Sequence, residues 1–272
     1  MAGVTRFAPS PTGPLHLGHA YSALIAASRG DRFLLRIEDI DTARYKPEWE
    51  AAIFDDLSWL GLRWERPVMR QSERQDAYEQ ALIRLDSLGL TYHCTCTRGD
   101  IRAALSAPQE GAPVIGPDGP IYPGTCRALG HKTGAVRLHM AKAMERLGDV
   151  RFIETGTRAG AHIISAEHLI TQVGDIVLAR KDIGTSYHLS VVVDDAAQEI
   201  TEVTRGEDLF DATAIHVALF RLLNLPVPLF HHHKLIRDEN GKRLAKRDDA
   251  RALSRYRAEG ATPDDIRRMV GL

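Results

Sequence analysis

Residues 7–20 read FAPSPTGPLHLGHA. The Pro/Gly-dense centre of this stretch forbids regular structure. The chain must therefore turn sharply between a short run, Val4 to Ala8, that reads as a strand, and an alanine-rich run that reads as a helix from about Pro14 to Ser28. Helical spacing would set His16 and His19 on one face near the helix start. There the free N–H groups and the positive end of the macrodipole favour an anion. Gly18 lacks a side chain between them, so a flat ring or a phosphate has room to approach the backbone. An HxxH pair alone reads more readily as two satisfied histidines in a buried helix; the flanking PSPTGPL context reverses that preference.

The rest of the chain alternates strands with helices. Phe33 to Glu38 reads as a second strand ending in the acidic pair Glu38 and Asp39. A helix from Pro47 carries Trp49, Ile53, Leu57 and Leu60 on one face. Another, capped by Ser72, carries Tyr78, Leu82, Leu85 and Leu88. Such alternation predicts an α/β fold around an open parallel sheet, with ligands beyond the carboxyl ends of its strands. From Cys94 to Cys126 glycine and proline are dense, regular structure is not expected, and an inserted subdomain is inferred. Strands over Ala135 to Met140 and Val150 to Glu154 resume the pattern, with Asp175 to Asp182 after them. A helix over Tyr187 to Asp195, a strand over Ile200 to Thr204, a helix over Thr213 to Leu223 and a strand near Leu229 to Ile236 follow.

With 44% hydrophobic and 26% charged residues in 272, the chain reads as an ordinary globular protein large enough for a substantial core. No apolar run approaches the roughly 20 residues of a membrane span, and the N-terminus lacks a signal-peptide pattern, so a cytoplasmic protein without membrane contact is expected. Net charge is −1, but Lys234 to Arg257 holds nine Lys/Arg against four Asp/Glu. Such a run is either a solvated face or a guide for RNA.

FAPSPTGPLHLGHA resembles the HIGH-motif segment of class I aminoacyl-tRNA synthetases in their glutamyl/glutaminyl form. Far along the chain, KRLAKR (242–247) resembles the KMSKS loop of that class, and Tyr187 to Leu209 (YHLSVVVDDAAQEITEVTRGEDL) resembles a segment between the two motifs. The resemblance implies a Rossmann-like parallel sheet with an inserted zinc-binding subdomain and a short helical C-terminal segment. The divisions would be 1–93 and 134–236 for the two halves of the catalytic domain, 94–133 for the zinc segment, and 237–272 for the KMSKS-like loop and terminal helices. It also implies roles. Arg6, Ala8, Ser10, Glu38, Tyr187 and Arg205 would line a glutamate pocket, with Glu38 on the ammonium. His16, Gly18, His19, Arg243 and Lys246 would bind ATP, with magnesium expected, and His16, His19 and Lys246 would be catalytic. RLAKR keeps only the second lysine of KMSKS, as Lys246, with Ala245 replacing the usual serine. His216 stands where relatives often carry glutamine.

Cys94, Cys96 and Cys126 are an odd set, poor for disulfides in a cytoplasmic protein but close to a tetrahedral zinc site lacking one ligand. Simple ligand chemistry prefers His93 or His131 as the fourth. The resemblance instead implies Tyr122, which stands four residues before Cys126 as in the zinc set of glutamyl-queuosine synthetases.

After KRLAKR only 25 residues remain, Asp248 to Leu272. Relatives that charge a tRNA 3′ end continue into anticodon-binding helical domains, for which this chain leaves no room. The resemblance therefore implies the shorter, queuosine-directed branch: glutamate is activated with ATP and passed to the cyclopentene-diol of queuosine at the wobble position of tRNA(Asp). The partners would be L-glutamate, ATP and that anticodon loop, and the protein a monomer. Competing readings are 3′-end charging, a non-enzymatic RNA-binding paralogue, and a nucleotidyltransferase of the same fold.

Overall fold

A computed structural model describes residues 3–106, 115–117, 119–237 and 251–272. The first half runs β1 (Val4–Phe7), α1 (Leu17–Arg29), β2 (Arg32–Ile37), α2 (Pro47–Trp59), β3 (Met69–Arg70), α3 (Gln75–Ser87), β4 (Thr91–Cys94), α4 (Arg98–Ser106), β5 (Ile115–Gly116) and β6 (Gly119–Pro120). It continues with β7 (Ala135–Leu138), α5 (Met140–Leu147), β8 (Val150–Glu154), β9 (Gly160–Ile164), α6 (Ala166–His168) and β10 (Val177–Ala179). The last part holds α7 (Tyr187–Ala197), β11 (Glu202–Gly206), α8 (Thr213–Leu222), β12 (Leu229–His233), α9 (Leu253–Ala258) and α10 (Pro263–Val270).

Strands β1, β2 and β3 pair in parallel, as do β11, β12 and β8, with β9 antiparallel at the far edge. The two sheets meet where Thr201, just before β11, donates its N–H to the Val4 carbonyl at 3.0 Å and accepts from the Val4 N–H through its hydroxyl at 2.8 Å. The ends of β1, β2, β11 and β12 thus open on one crevice, at the point where the strand order reverses. The sequence of β2 shows why it belongs mid-sheet. Phe33, Leu35 and Ile37 face one buried cluster with α1, α2 and α10, while Leu34 joins the opposite cluster with α3, α5, α7 and α8. Each such buried side chain contributes about 1.5–3 kcal/mol. Arg36 lies on the Leu34 side and is fully buried; its partners are described below.

Three local expectations are corrected. Helix α1 begins at Leu17, not Pro14, because His16 is its N-cap in extended backbone. Ser72 does not cap α3: it lies in a one-turn 3₁₀ segment and binds Asp39 through its N–H (2.8 Å) and hydroxyl (2.6 Å). The Cys94 to Cys126 stretch is not devoid of regular structure, since it holds α4 and the β5–β6 pair. The strands bracketing it, β4 and β7, pair antiparallel, and β10 pairs antiparallel with β7, so these three form a separate antiparallel sheet.

Candidate active site and metal centre

The crevice is a cavity of about 510 Å³. Strand β1 and its turn bring Arg6, Ala8 and Ser10 to it; the start of α1 brings His16, Gly18 and His19. Glu38 arrives from the end of β2, Tyr187 from the first turn of α7 and Arg205 from β11. Every predicted glutamate-pocket residue is therefore at one place. Arg243 and Lys246, with the rest of KRLAKR, lie outside the described residues.

His16 and His19 form a reciprocal cap. The Gly18 N–H donates to Nδ1 of His16 at 3.1 Å, and the His16 N–H donates to Nδ1 of His19 at 3.2 Å. An accepting Nδ1 carries no proton, so each neutral ring holds its hydrogen on Nε2. The sequence places both imidazoles at a helix N-terminus; the cap fixes their tautomer. Gly18 also leaves His16 its room, since a Cβ there would press on the ring at 3.0 Å from Cε1 and 3.1 Å from Nδ1.

Arg6 and Arg205, assigned the same task by resemblance, have different surroundings. Arg6 is locked to Asp195 by two bonds (Nε 2.9 Å, Nη2 3.2 Å) and donates to the Thr204 carbonyl at 3.1 Å. Asp195 also accepts from Arg36 at 2.7 Å, and Arg36 reaches Glu38 at 3.1 Å. Burial would raise the Asp195 pKa, but Arg6 and Arg36 outweigh it and hold the carboxyl below its ordinary value. For Glu38 burial prevails over the same two arginines and raises it.

Arg205 is 6% exposed and meets neutral groups. Nε donates to Nε2 of His232 (3.1 Å), Nη1 to Nδ1 of His216 (2.8 Å) and Nη2 to Thr213 Oγ1 (2.8 Å), with the Tyr187 hydroxyl also in reach. Among the described residues no carboxylate forms an ion pair with it. Burial lowers its pKa, yet the guanidinium stays charged. Burial, then the Arg205 charge, pushes His216 well below its usual value and His232 down to about 4, so both rings are neutral near pH 7. A buried cation with neutral neighbours calls for an anionic ligand.

Sequence reasoning missed Asp195, Arg36, Glu154, His232 and two buried polar atoms on residues lining the cavity, Thr204 Oγ1 and His233 Nε2, which lack a hydrogen-bond partner among the described residues. Signals existed: an acidic pair inside the apolar run of α7 and the HHH at 231–233. A second cavity of about 800 Å³ shares Ser10, Thr12, Glu38 and Tyr187 with the first and carries Arg44, Arg98, Arg137, Arg180 and Lys181 on its wall.

In the insertion, the ligand atoms of Cys94, Cys96 and Cys126 all lie within 4.8 Å of one another. The Tyr122 hydroxyl stands 3.3 Å from Cys94 Sγ and 3.5 Å from Cys96 Sγ, and accepts the Cys126 N–H at 2.8 Å. The Arg137 guanidinium covers the Tyr122 ring at 3.9 Å, while burial and bonds to the three thiols hold the phenol above its ordinary value. His93 and His131 are not members of the thiol group. Burial raises the Cys126 thiol, but bonds from Tyr122, the Thr95 N–H and the other thiols bring it down to about 6. Three sulfurs and a phenol oxygen fit a four-coordinate metal. Gly134, at φ 121°, lets the return strand pass Cys94, whose carbonyl oxygen would lie 2.4 Å from a Cβ.

The fold and the crevice are those of a class I tRNA synthetase. The family model described as tRNA synthetases class I (E and Q), catalytic domain, matches residues 3–272, and the chain belongs to that family of ligases. Within it, the chain is 62% identical over 281 residues to the Glutamyl-Q tRNA(Asp) synthetase of Rhodobacter capsulatus, covering 99% of this chain and 100% of that protein. It is 41% identical to the Glutamyl-Q tRNA(Asp) synthetase of Nocardia farcinica, covering 98% of this chain and 83% of that one. Among solved structures, the glutamate-tRNA synthetase of Elizabethkingia anophelis superposes with a TM-score of 0.79 at 28% identity over 100% of this chain. This chain spans 61% of that synthetase's length. Among the described residues no helix is long and apolar enough to cross a membrane.

Proposed function

We propose that the protein activates L-glutamate with ATP to glutamyl-adenylate and transfers the glutamyl group to a hydroxyl of the queuosine cyclopentene ring in the anticodon loop of tRNA(Asp). The observation that carries the glutamate assignment is Arg205, a buried cation whose hydrogen-bond partners among the described residues are all neutral, in the same cavity as a histidine-bearing helix N-terminus. The substrate side-chain carboxylate becomes its counter-ion, Glu38 takes the ammonium, and Arg6, already neutralised by Asp195, donates hydrogen bonds without adding net charge.

The α-carboxylate then attacks the α-phosphorus of ATP: a C–O–P linkage forms, the bond to the bridging oxygen breaks, and pyrophosphate leaves. No side-chain nucleophile is required; catalysis rests on positioning and on donors to phosphate oxygens. The Nε2–H groups of His16 and His19 and the N-terminus of α1 are such donors, and Lys246 is assigned to the β/γ-phosphates with Arg243 beside it. Magnesium accompanies the nucleotide. Thr204 Oγ1 and His233 Nε2 would serve polar atoms of the bound substrates. Zinc, held by Cys94, Cys96, Tyr122 and Cys126, would be structural, since four protein ligands leave no open position.

For the acceptor, the support is the 62% identical relative and the second cavity, which shares a wall with the first and bears five cationic side chains, Arg44 and Arg180 of them paired with Asp41 and Asp182, on a wall that a single-stranded loop could follow. The test uses labelled glutamate, ATP and tRNA(Asp) with or without queuosine. Label that requires queuosine and survives removal of the 3′ terminus supports the proposal; label confined to the terminal ribose contradicts it.

A further inference from the structure

A continuous hydrogen-bonded chain runs behind the glutamate pocket from Glu154 at the end of β8 to His188 in α7, and the directions of its bonds follow from chemistry alone. Glu154 Oε1 is pinned by two backbone donors, the His232 N–H at 2.8 Å and the Gly156 N–H at 2.6 Å. Its other oxygen, Oε2, lies 2.6 Å from Nδ1 of His232, with both side chains fully buried. A carboxylate accepts, so His232 carries its proton on Nδ1 and presents a bare Nε2. The Nε–H of Arg205 donates to that lone pair. Arg205 has no acceptor atom, so at its other side the Nδ1 of His216 must also be bare. His216 then holds its proton on Nε2 and donates it to Nδ1 of His188 at 2.9 Å.

We propose that Glu154, His232 and His216 are positioning residues which, by presenting lone pairs to Arg205, hold its guanidinium charged and aimed at an acidic substrate side chain. The proposal rests on the reading that this pocket takes glutamate. Glu154 supplies a counter-charge one imidazole away: near enough to set the tautomer of His232, too far to occupy the face of Arg205 that the substrate uses. A carboxylate in place of either histidine would neutralise Arg205 directly and favour an uncharged side chain instead.

Glu154→Gln separates this role from simple packing. The pinned position at Oε1 accepts two N–H groups, so the amide oxygen must sit there and the amide nitrogen must face Nδ1 of His232. That nitrogen donates, the His232 proton moves to Nε2, and Arg205 Nε loses its lone pair there, the relocated proton facing both the guanidinium and Thr213 Oγ1 at 3.2 Å. His216→Gln keeps both functions, an oxygen for Arg205 and an N–H for His188, whereas His216→Leu keeps neither.

The experiment has two arms on the full-length protein. Nitrogen-15 spectra of labelled histidines read the His232 tautomer: Nδ1–H is expected in the wild type and Nε2–H in Glu154→Gln. Glutamate-dependent ATP–pyrophosphate exchange reads the consequence. Glu154→Gln and His216→Leu should raise KM for glutamate on the order of tenfold, hold KM for ATP within about twofold, and narrow the preference for glutamate over glutamine. His216→Gln should restore all three. If His216→Leu melts below the assay temperature, Glu154→Gln carries the same prediction. A wild-type His232 protonated on Nε2, or an unchanged KM for glutamate and unchanged selectivity in Glu154→Gln, overturns the proposal. A wild type with no glutamate-dependent exchange overturns the functional reading instead, and the spectra still decide the relay.

Discussion

Replacing Asp195 by asparagine should both destabilise the fold and weaken glutamate binding, and the structure sets the size of the first effect. Asp195 accepts three charge-assisted bonds, two from Arg6 and one from Arg36, and its side chain is 4% exposed against 7% and 0% for the arginines. Such bonds are individually worth about 1.5–3 kcal/mol. Their sum is not the expected loss, because the wild type already bears the desolvation of all three ions. Asparagine keeps the shape and one acceptor oxygen, but it turns an N–H₂ toward a guanidinium and leaves a buried cation without its partner. Removal of one member of a buried ion pair typically costs about 3–5 kcal/mol. A loss near 3–4 kcal/mol is expected by urea denaturation with unchanged slope, or a fall in Tm of roughly 6–15 °C for a chain of this size. The sign with pH is fixed. Arg6 and Arg36 hold the folded Asp195 below its ordinary 3.8. Its stabilisation is therefore complete above that value and lost as pH falls through the folded pKa. The gap between wild type and variant should hold at pH 7 and narrow below about pH 4. A variant within about 1 kcal/mol of wild type at pH 7 would refute the assignment of Asp195 as the shared anion of a desolvated pair.

Further outcomes are expected. Gly18→Ala should reduce the rate of pyrophosphate exchange by about tenfold or more while leaving Tm unchanged or slightly higher, because its Cβ displaces His16 although alanine favours a helix. Asp56, buried in the last turn of α2, has its carboxyl raised to about 6 by burial, against the pull of Arg257. Its folded pKa exceeds 3.8, so stability falls as pH rises from about 4 to 6; Asp56→Asn should add roughly 1–2 kcal/mol at pH 7, after solvent screening, and nothing at pH 3.5. Elemental analysis of protein purified without chelator should find about one zinc per chain, Cys126→Ser should lose it, and Tyr122→Phe should retain it more weakly.

What the sequence made legible were features with local causes. The Pro/Gly turn, the apolar faces of α2 and α3, and the strand end at Glu38 follow from residue type and spacing, whereas Arg205 came from the resemblance. Cys94 and Cys96 are close in sequence, and Tyr122 with Cys126 follows a motif, so the thiol group was readable before any coordinates. Electrostatic partners were not. Arg6 and Asp195 are 189 positions apart, and nothing in either neighbourhood announces that a sheet will join them. Arg36 carries no mark of burial within FLLRIE; its place on the Leu34 face of β2 puts it inside. The start of α1 lies three residues beyond Pro14 because the imidazole of His16 caps the helix, which helix propensity does not register. KRLAKR was read from its resemblance and lies outside the described residues.

On the proposed reading a buried guanidinium at Arg205, without a carboxylate partner among the described residues, selects an acidic amino acid for adenylation. The most direct test is the ratio of kcat/KM for glutamate and glutamine in ATP–pyrophosphate exchange by the wild-type protein. Loss of a charged hydrogen bond worth about 1.5–3 kcal/mol predicts a preference for glutamate of roughly 10- to 150-fold. Equal rates with the two amino acids, or a preference for glutamine, would contradict it.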